Sequence, residues 1–172
     1  MIEVLRLDHR IHRDPRISTH LALISRAFGA SKIYYSGDKD SGMEETVNDI
    51  TKEFGGPFEI EYVKDEIKLI KEKKKNSKIV HLTVYGLQVQ DEIKNIKKFD
   101  NLLVIVGGSK VPGEIYGLAD FNISVTQQPH SELAALTIFL DKYFDSKELE
   151  KKFSNAKSLI IPQKQGKLVK KI

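Results

Sequence analysis

Three short stretches hold residues whose types and spacing could do chemistry. The first, Asp8 to His20 (DHRIHRDPRISTH), gathers Arg10, Arg13 and Arg16 with His9, His12 and His20. A guanidinium presents paired donors that match phosphate oxygens better than an ammonium does, so this stretch suits recognition of a phosphodiester. Local pairing with Asp8 and Asp14 in a solvated loop explains the same residues without a ligand. The second, Gly107 to Pro112 (GGSKVP), follows an apolar run. Its glycines let backbone amides approach a ligand, and the helix start behind it favours negative charge. It lacks the later Gly of a dinucleotide fingerprint and the Lys-Ser/Thr of a Walker loop, so a tight strand-to-helix turn is an equal reading. The third, Thr126 to Glu132 (TQQPHSE), offers two side-chain amides, a fixed φ at Pro129 and a Ser or His beside the next helix. That combination can hold a polar heterocycle through backbone groups. His130 within it is a candidate general base, or simply a capping histidine.

Other chemistries lack their parts. The 172 residues include no Cys, which excludes thiolate zinc sites, Cys nucleophiles and disulfides. No Ser-His-Asp order, His-x-x-x-His pair or EF-hand loop can be assembled, so no metal site is expected. The net charge of +4 permits an anionic partner without demanding one. Lys73-Lys74-Lys75 reads as a solvated helix face, whereas Lys164, Lys167, Lys170 and Lys171 form an acid-free basic strip able to track a nucleic-acid backbone. Charges interrupt the apolar residues after Met1, and no segment approaches the ~20 apolar residues that span a bilayer. A soluble, cytoplasmic protein is expected.

The elements that must position these stretches alternate. Residues 2–7 read as a buried strand, and Ser18 as the N-cap of a helix from Thr19 to Phe28 that stops at Gly29. Further strands are expected at 31–35, 58–63, 79–84, 102–106 and 121–125. The run Ile79 to Val84 has the near-continuous apolar pattern of a strand buried on both faces, with Tyr85-Gly86-Leu87 turning out of it. Helices are expected at 43–54, 65–75, 90–98, 112–118 and 131–144, then a short helical turn around Leu149 and Phe153. Residues 159–169 suit a small β-hairpin or an extended tail. Strand and helix alternate throughout, which predicts an α/β fold with a mainly parallel, doubly wound sheet. A single domain, 1–172, is expected, with about 146–172 as a C-terminal extension. In such sheets ligands bind where loops leave the carboxyl ends of neighbouring strands, which places the candidate site between Val104 and Leu140.

Read in order, LRLDHR, RDPRISTHLALISRAFGA, FGGPFEIE, IVHLTVYGL, VGGSKVP, LADFNISV and QPHSELAALTIFLD resemble the archaeal tRNA cytidine 2′-O-methyltransferases of the SPOUT superfamily. The resemblance runs from Leu5 to about Pro162. It implies a SPOUT-type, mainly parallel sheet flanked by helices, with a C-terminal deep trefoil knot and a short C-terminal β extension. It implies S-adenosyl-L-methionine as cofactor, held by three loops: Leu82, Thr83 and Gly86; Gly107, Gly108, Ser109, Lys110 and Val111; and Val125, Thr126, Gln127, Gln128, Pro129, His130, Ser131 and Glu132. The implied reaction is methylation of the ribose 2′-hydroxyl of the T-loop cytidine at tRNA position 56, by a homodimer whose active site lies at the subunit interface. Arg16 matches the superfamily's N-terminal arginine beside the acceptor, with Arg10 and Arg13 as phosphate holders and His20 or His130 as proton acceptor. The sequence departs from the family at Ser109, where an acidic residue is commoner, and at Thr126-Gln127, where Gly-Asn is. Three alternatives stay open: a SPOUT methyltransferase for another tRNA or rRNA nucleotide, a non-catalytic RNA-binding protein of the same fold, and a Rossmann dehydrogenase, which the missing fingerprint disfavours.

Overall fold

The structure is a computed structural model that describes residues 1–13, 15–108 and 110–172. In chain order it contains β1 (Ile2–His9), α1 (Pro15–Ala27), β2 (Lys32–Gly37), α2 (Ser41–Phe54), β3 (Glu59–Tyr62), α3 (Glu66–Lys73), β4 (Lys78–Gln88), α4 (Val89–Ile96), β5 (Leu102–Val106), α5 (Gly113–Leu118), β6 (Phe121–Ser124) and α6 (Glu132–Phe144). A 3-10 turn (Lys147–Glu150) then leads to β7 (Ser158–Ile161) and β8 (Leu168–Lys171).

Six strands form one sheet in the order β3-β2-β1-β5-β4-β6, and every pairing in it is parallel. β5 is buried along its whole length. Alternate residues of the central strands feed two separate cores, as a pleated strand covered on both faces requires. Val4, Val80, Val104 and Val106 pack with Leu21 of α1, Val47 of α2 and Leu136, Phe139 and Leu140 of α6. Leu5, Ile79, Leu103 and Ile105 pack with Ile70 of α3 and Ile115 of α5. β7 and β8 pair antiparallel as a separate two-stranded sheet, so the basic strip lies on a hairpin.

Two local expectations are corrected. Helix α1 begins at Pro15, not Thr19, because proline at a first helical position has no amide hydrogen to leave unpaired. Ser18 therefore lies inside α1 and does not cap it; its Oγ instead meets His9 Nδ1 at 2.8 Å. Nor do Tyr85-Gly86-Leu87 turn the chain out of the sheet, since β4 runs on to Gln88. Leu82 and Leu87 both pair with Ile123 of β6, so Thr83 to Gly86 bulge out between them. A Cβ on Gly86 would lie 2.4 Å from the Asn122 carbonyl, a closeness only glycine permits.

Candidate active site

The bulge in β4 and the chain segments leaving β5 and β6 enclose a cavity of about 290 Å³ at one end of the sheet. From the expected cofactor loops it is lined by Leu82, Thr83, Gly107, Gly108, Val111, Val125, His130 and Glu132. Gly86 faces a neighbouring depression with Asp120 and Asn122, and Lys110, Thr126, Gln127, Gln128, Pro129 and Ser131 do not line the cavity. Ser131 caps α6, accepting from the Leu133 amide at 3.2 Å. Thr126 accepts from the Gln128 amide at 3.3 Å within its own turn. Ser109, like Asp14, is outside the described residues.

Two residues that sequence reasoning passed over bear on the cavity, one behind its wall and one in it. Arg6, 1% exposed, sits under it on β1. Its Nη1 donates to the Gly107 carbonyl at 2.5 Å, and its Nη2 lies 3.4 Å from Glu132 Oε1. One guanidinium fork thereby ties the loop after β5 to the start of α6. The only signal in the sequence was a charge inside an apolar strand, Leu5-Arg6-Leu7. The other residue is His81, fully buried on β4, which does line the cavity. Its Nδ1 meets Asn122 Oδ1 at 2.9 Å, while Asn122 Nδ2 donates to the Tyr116 carbonyl at 2.9 Å. That chain puts the proton on Nδ1 and leaves Nε2 as an acceptor with no partner among the described residues. Burial holds this imidazole below its ordinary pKa against the opposing Asn122 bond, so it is neutral near pH 7.

His130 is exposed on the rim, and its Nδ1 lies 2.7 Å from the Gln128 carbonyl. A carbonyl can only accept, so Nδ1 carries a proton, and in the neutral ring Nε2 is the acceptor. This is the geometry of a base held in one tautomer.

The arginine stretch is built separately. A fully buried His9 joins Ser18 Oγ of α1, at 2.8 Å, to Asp40 Oδ2, at 3.2 Å. The constellation resembles a Ser-His-Asp relay, but Ser18 is 1% exposed, so it acts as a clamp. Asp40 also caps α2 by accepting from the Met43 amide at 3.0 Å, and that bond, with His9, holds its carboxyl below the ordinary range against burial. Gly37 completes the clamp: at φ 98° it sits where a Cβ would be 2.3 Å from the His9 carbonyl. Outside the clamp, Arg13 and Arg16 are exposed, and Arg10 is partly covered, 3.8 Å from Asp8. Arg16 and His20, four residues apart, share one face of α1. His20 belongs to a shallow apolar surface with Leu23, Ile24, Ala27 and Phe28. None of Arg10, Arg13, Arg16 and His20 lines the cavity of its own chain.

Residues 54–170 match the family described as tRNA ribose 2′-O-methyltransferase, aTrm56. The tRNA (cytidine(56)-2′-O)-methyltransferase of Thermococcus kodakarensis is 49% identical over 173 residues, covering 98% of this chain and 96% of its own. The protein of the same description from Methanopyrus kandleri is 44% identical over 170 residues, with the same coverage. Among solved structures, the A. aeolicus TrmH/SpoU tRNA modifying enzyme superposes with a TM-score of 0.62 at 17% identity, over 89% of this chain and 80% of that one. The SpoU methyltransferase AviRb of Streptomyces viridochromogenes, in complex with AdoMet, gives 0.61 at 10% identity, over 86% and 57%. At such identities the structural likeness is one of fold. The near-complete coverage by relatives of almost half-identical sequence is one of descent: the chain belongs to the tRNA ribose 2′-O-methyltransferase family.

Proposed function

We propose that this protein methylates the ribose 2′-hydroxyl of the T-loop cytidine at tRNA position 56, using S-adenosylmethionine, as a cytoplasmic homodimer. The observation that carries the reading is the cavity formed by the β4 bulge and the ends of β5 and β6. Its wall combines aliphatic side chains (Leu82, Val106, Ile123, Val125), the backbone of Gly107 and Gly108, and His81, whose Nε2 has no hydrogen-bond partner among the described residues. Among the described residues that line it the one acid is Glu132, already paired with Arg6, so the wall offers chiefly apolar and backbone contacts, which suit an adenine and a short aliphatic chain. The cavity supports assigning the cofactor to Leu82, Thr83, Gly107, Gly108, Val111, Val125, His130 and Glu132; we assign the rest of the three loops, Gly86, Ser109, Lys110 and Thr126 to Ser131 apart from His130, with them by their place in the chain. Bound there, the cofactor supplies an electrophilic methyl group on its sulfonium.

The remaining work falls to the chain. A ribose hydroxyl is a very weak acid, so a base must take its proton as the methyl transfers, and the donor and acceptor must be held in line. His130 Nε2, on the cavity rim, is the base we assign. Arg16, beside the positive N-terminus of α1, would orient the neighbouring phosphate and favour the oxyanion as it forms, with Arg10 and Arg13 on adjacent phosphates. His20 lies on the same helix face and would contact substrate.

Separation of Arg16 from its own cavity supports a dimer. The shallow apolar surface on α1, formed by the half-buried Leu23 and Ile24 with the exposed Ala27, is one that a second copy would cover; Ile138 of α6, a helix that packs against α1, is also exposed. We take 1–172 as one domain with an extension from about 146. The return of the chain from β5 to β6 across β4 is compatible with the expected knot. The test is transfer of labelled methyl to an unmodified tRNA transcript. Label should appear on the 2′-oxygen of cytidine 56 and vanish when that nucleotide is replaced; methylation at another nucleotide would reassign the substrate.

A further inference from the structure

The chain's charge is divided unevenly. Residues 151–172 contain seven lysines and no acid, whereas residues 1–150 contain 21 Lys and Arg against 24 Asp and Glu, a net −3. All of the protein's excess positive charge therefore sits on the β7–β8 hairpin and the segment leading to it. We propose that this hairpin is an RNA-contacting arm that binds phosphodiester backbone away from the ribose that is methylated; the proposal rests on the reading of the substrate as RNA.

A two-stranded hairpin is marginal alone, so an arm needs a fixed base. Here Ser158 Oγ donates to Glu53 Oε1 of α2 at 2.5 Å, Lys171 pairs with the same carboxylate, and the Lys157 amide donates to the Glu53 carbonyl at 2.9 Å. The Lys171 and Ser158 bonds hold that carboxyl below its ordinary range. Gly56 and Ser154 exchange backbone bonds of 2.9 and 3.1 Å, and Arg26 stacks 4.4 Å over the Phe153 ring. The register puts Ser158 and Lys171 opposite each other on the face turned to α2, so Lys170, paired with Leu159, points to the other side.

Beyond that base the arm is bare. Lys164, Lys167 and Lys170 are exposed and have no hydrogen-bond or ion-pair partner among the described residues, and every residue from Pro162 to Lys171 is exposed. The partner's chemistry follows from what the hairpin lacks. With no Phe, Tyr or Trp between Ser158 and Ile172, it has no platform on which to stack unpaired bases. Without an acid it has no acceptor-bearing side chain beyond Gln163, Gln165 and Ser158 to read a base edge or pair with a basic protein. Flexible ammonium groups on a fixed stem suit sequence-independent contact with phosphates. The exposed Ile160 and Val169 are directly opposed across the strands, and their contact holds the two strands together.

The test is the triple variant Lys164→Gln, Lys167→Gln, Lys170→Gln, compared with its Arg counterpart. Binding of an unmodified tRNA transcript, followed from 50 to 300 mM salt, should lose roughly two to three units of the slope of log K against log salt, as expected for about 0.7–0.9 per phosphate contact. KM for tRNA should rise about tenfold at moderate salt, kcat and cofactor affinity should stay unchanged, and the Arg version should restore the slope. An unaltered slope and KM would overturn the arm. So would an unaltered slope accompanied by loss of the dimer in sedimentation, which would make the hairpin a contact between copies. Binding and methyl transfer are read separately: a wild-type protein that binds tRNA through these lysines yet transfers no methyl refutes the enzyme reading and not the arm.

Discussion

At the scale of the residue, the site depends on a side chain that never needs to meet a ligand. Arg6 donates to the Gly107 carbonyl and pairs with Glu132, so two segments that line the cavity are tied together. Lysine in its place keeps the charge but loses the planar fork that reaches both partners. Arg6→Lys is therefore expected to leave the protein folded and to raise the cofactor Kd at least tenfold, about 1.4 kcal/mol by the standard conversion. KM for tRNA should be unchanged. Calorimetric titration with S-adenosylmethionine checks this, and an unchanged Kd would reduce Arg6 to a core residue. The sequence shows why Arg6 was missed and Arg10, Arg13 and Arg16 were not. A cluster of like charges in a polar loop announces itself, whereas one charge between Leu5 and Leu7 reads as noise in an apolar strand. His81 was hidden in the same way: IVHLTV looks like uniform core, and only the meeting of β4 with Asn122 and Tyr116 gives its ring a direction.

At the scale of the element, local patterning located every strand and helix, because apolar runs bounded by Gly, Pro and Asp are fixed by neighbours in sequence. It failed where a distant strand decides. Tyr85-Gly86-Leu87 has turn composition, but pairing of Leu87 and Gln88 with β6 returns the chain to the sheet. Ser18 has the composition of a cap, but His9 claims its hydroxyl. The 3-10 turn after α6 carries a similar conflict. Glu148 is 4% exposed, and neither carboxylate oxygen has a hydrogen-bond partner among the described residues. Burial, reinforced by Asp141, pushes this carboxyl above its ordinary 4.5. A raised folded pKa favours the folded state only at pH below the unfolded value, and that contribution disappears as pH rises through the folded pKa. At pH 7 the charged Glu148 is thus a cost, and Glu148→Gln should stabilise by about 1 kcal/mol, or about 2–4 °C in Tm for a chain of this size. The gap should close as pH falls toward 4.5. Thermal melts of both proteins at pH 7 and pH 4.5 decide it: a lower Tm for the variant at pH 7 would show that the carboxylate has a favourable partner.

At the scale of the whole molecule, the proposed site has two parts that lie apart on one chain. The clamp of His9, Ser18 and Asp40 fixes the start of α1, and with it Arg16, at the end of β1. The cavity opens at β4, β5 and β6, and Arg16 is not among its walls. If the apolar surface on α1 joins two copies, Arg16 of one copy can serve the cavity of the other, and the assignment becomes testable by mixing inactive proteins. Arg16→Ala should abolish methyl transfer while leaving cofactor affinity nearly intact, and Arg6→Lys should be impaired in cofactor binding with its Arg16 in place. In a mixed dimer one of the two sites combines the intact cavity of the first variant with the intact Arg16 of the second. Random reassembly of equal amounts places half of the dimers in this mixed state, so activity of about a quarter of wild type should reappear at cofactor concentrations where neither variant works alone. Refolding the two proteins together and assaying methyl transfer measures it. A mixture no more active than its components would place Arg16 and the cavity of a single chain in the same site.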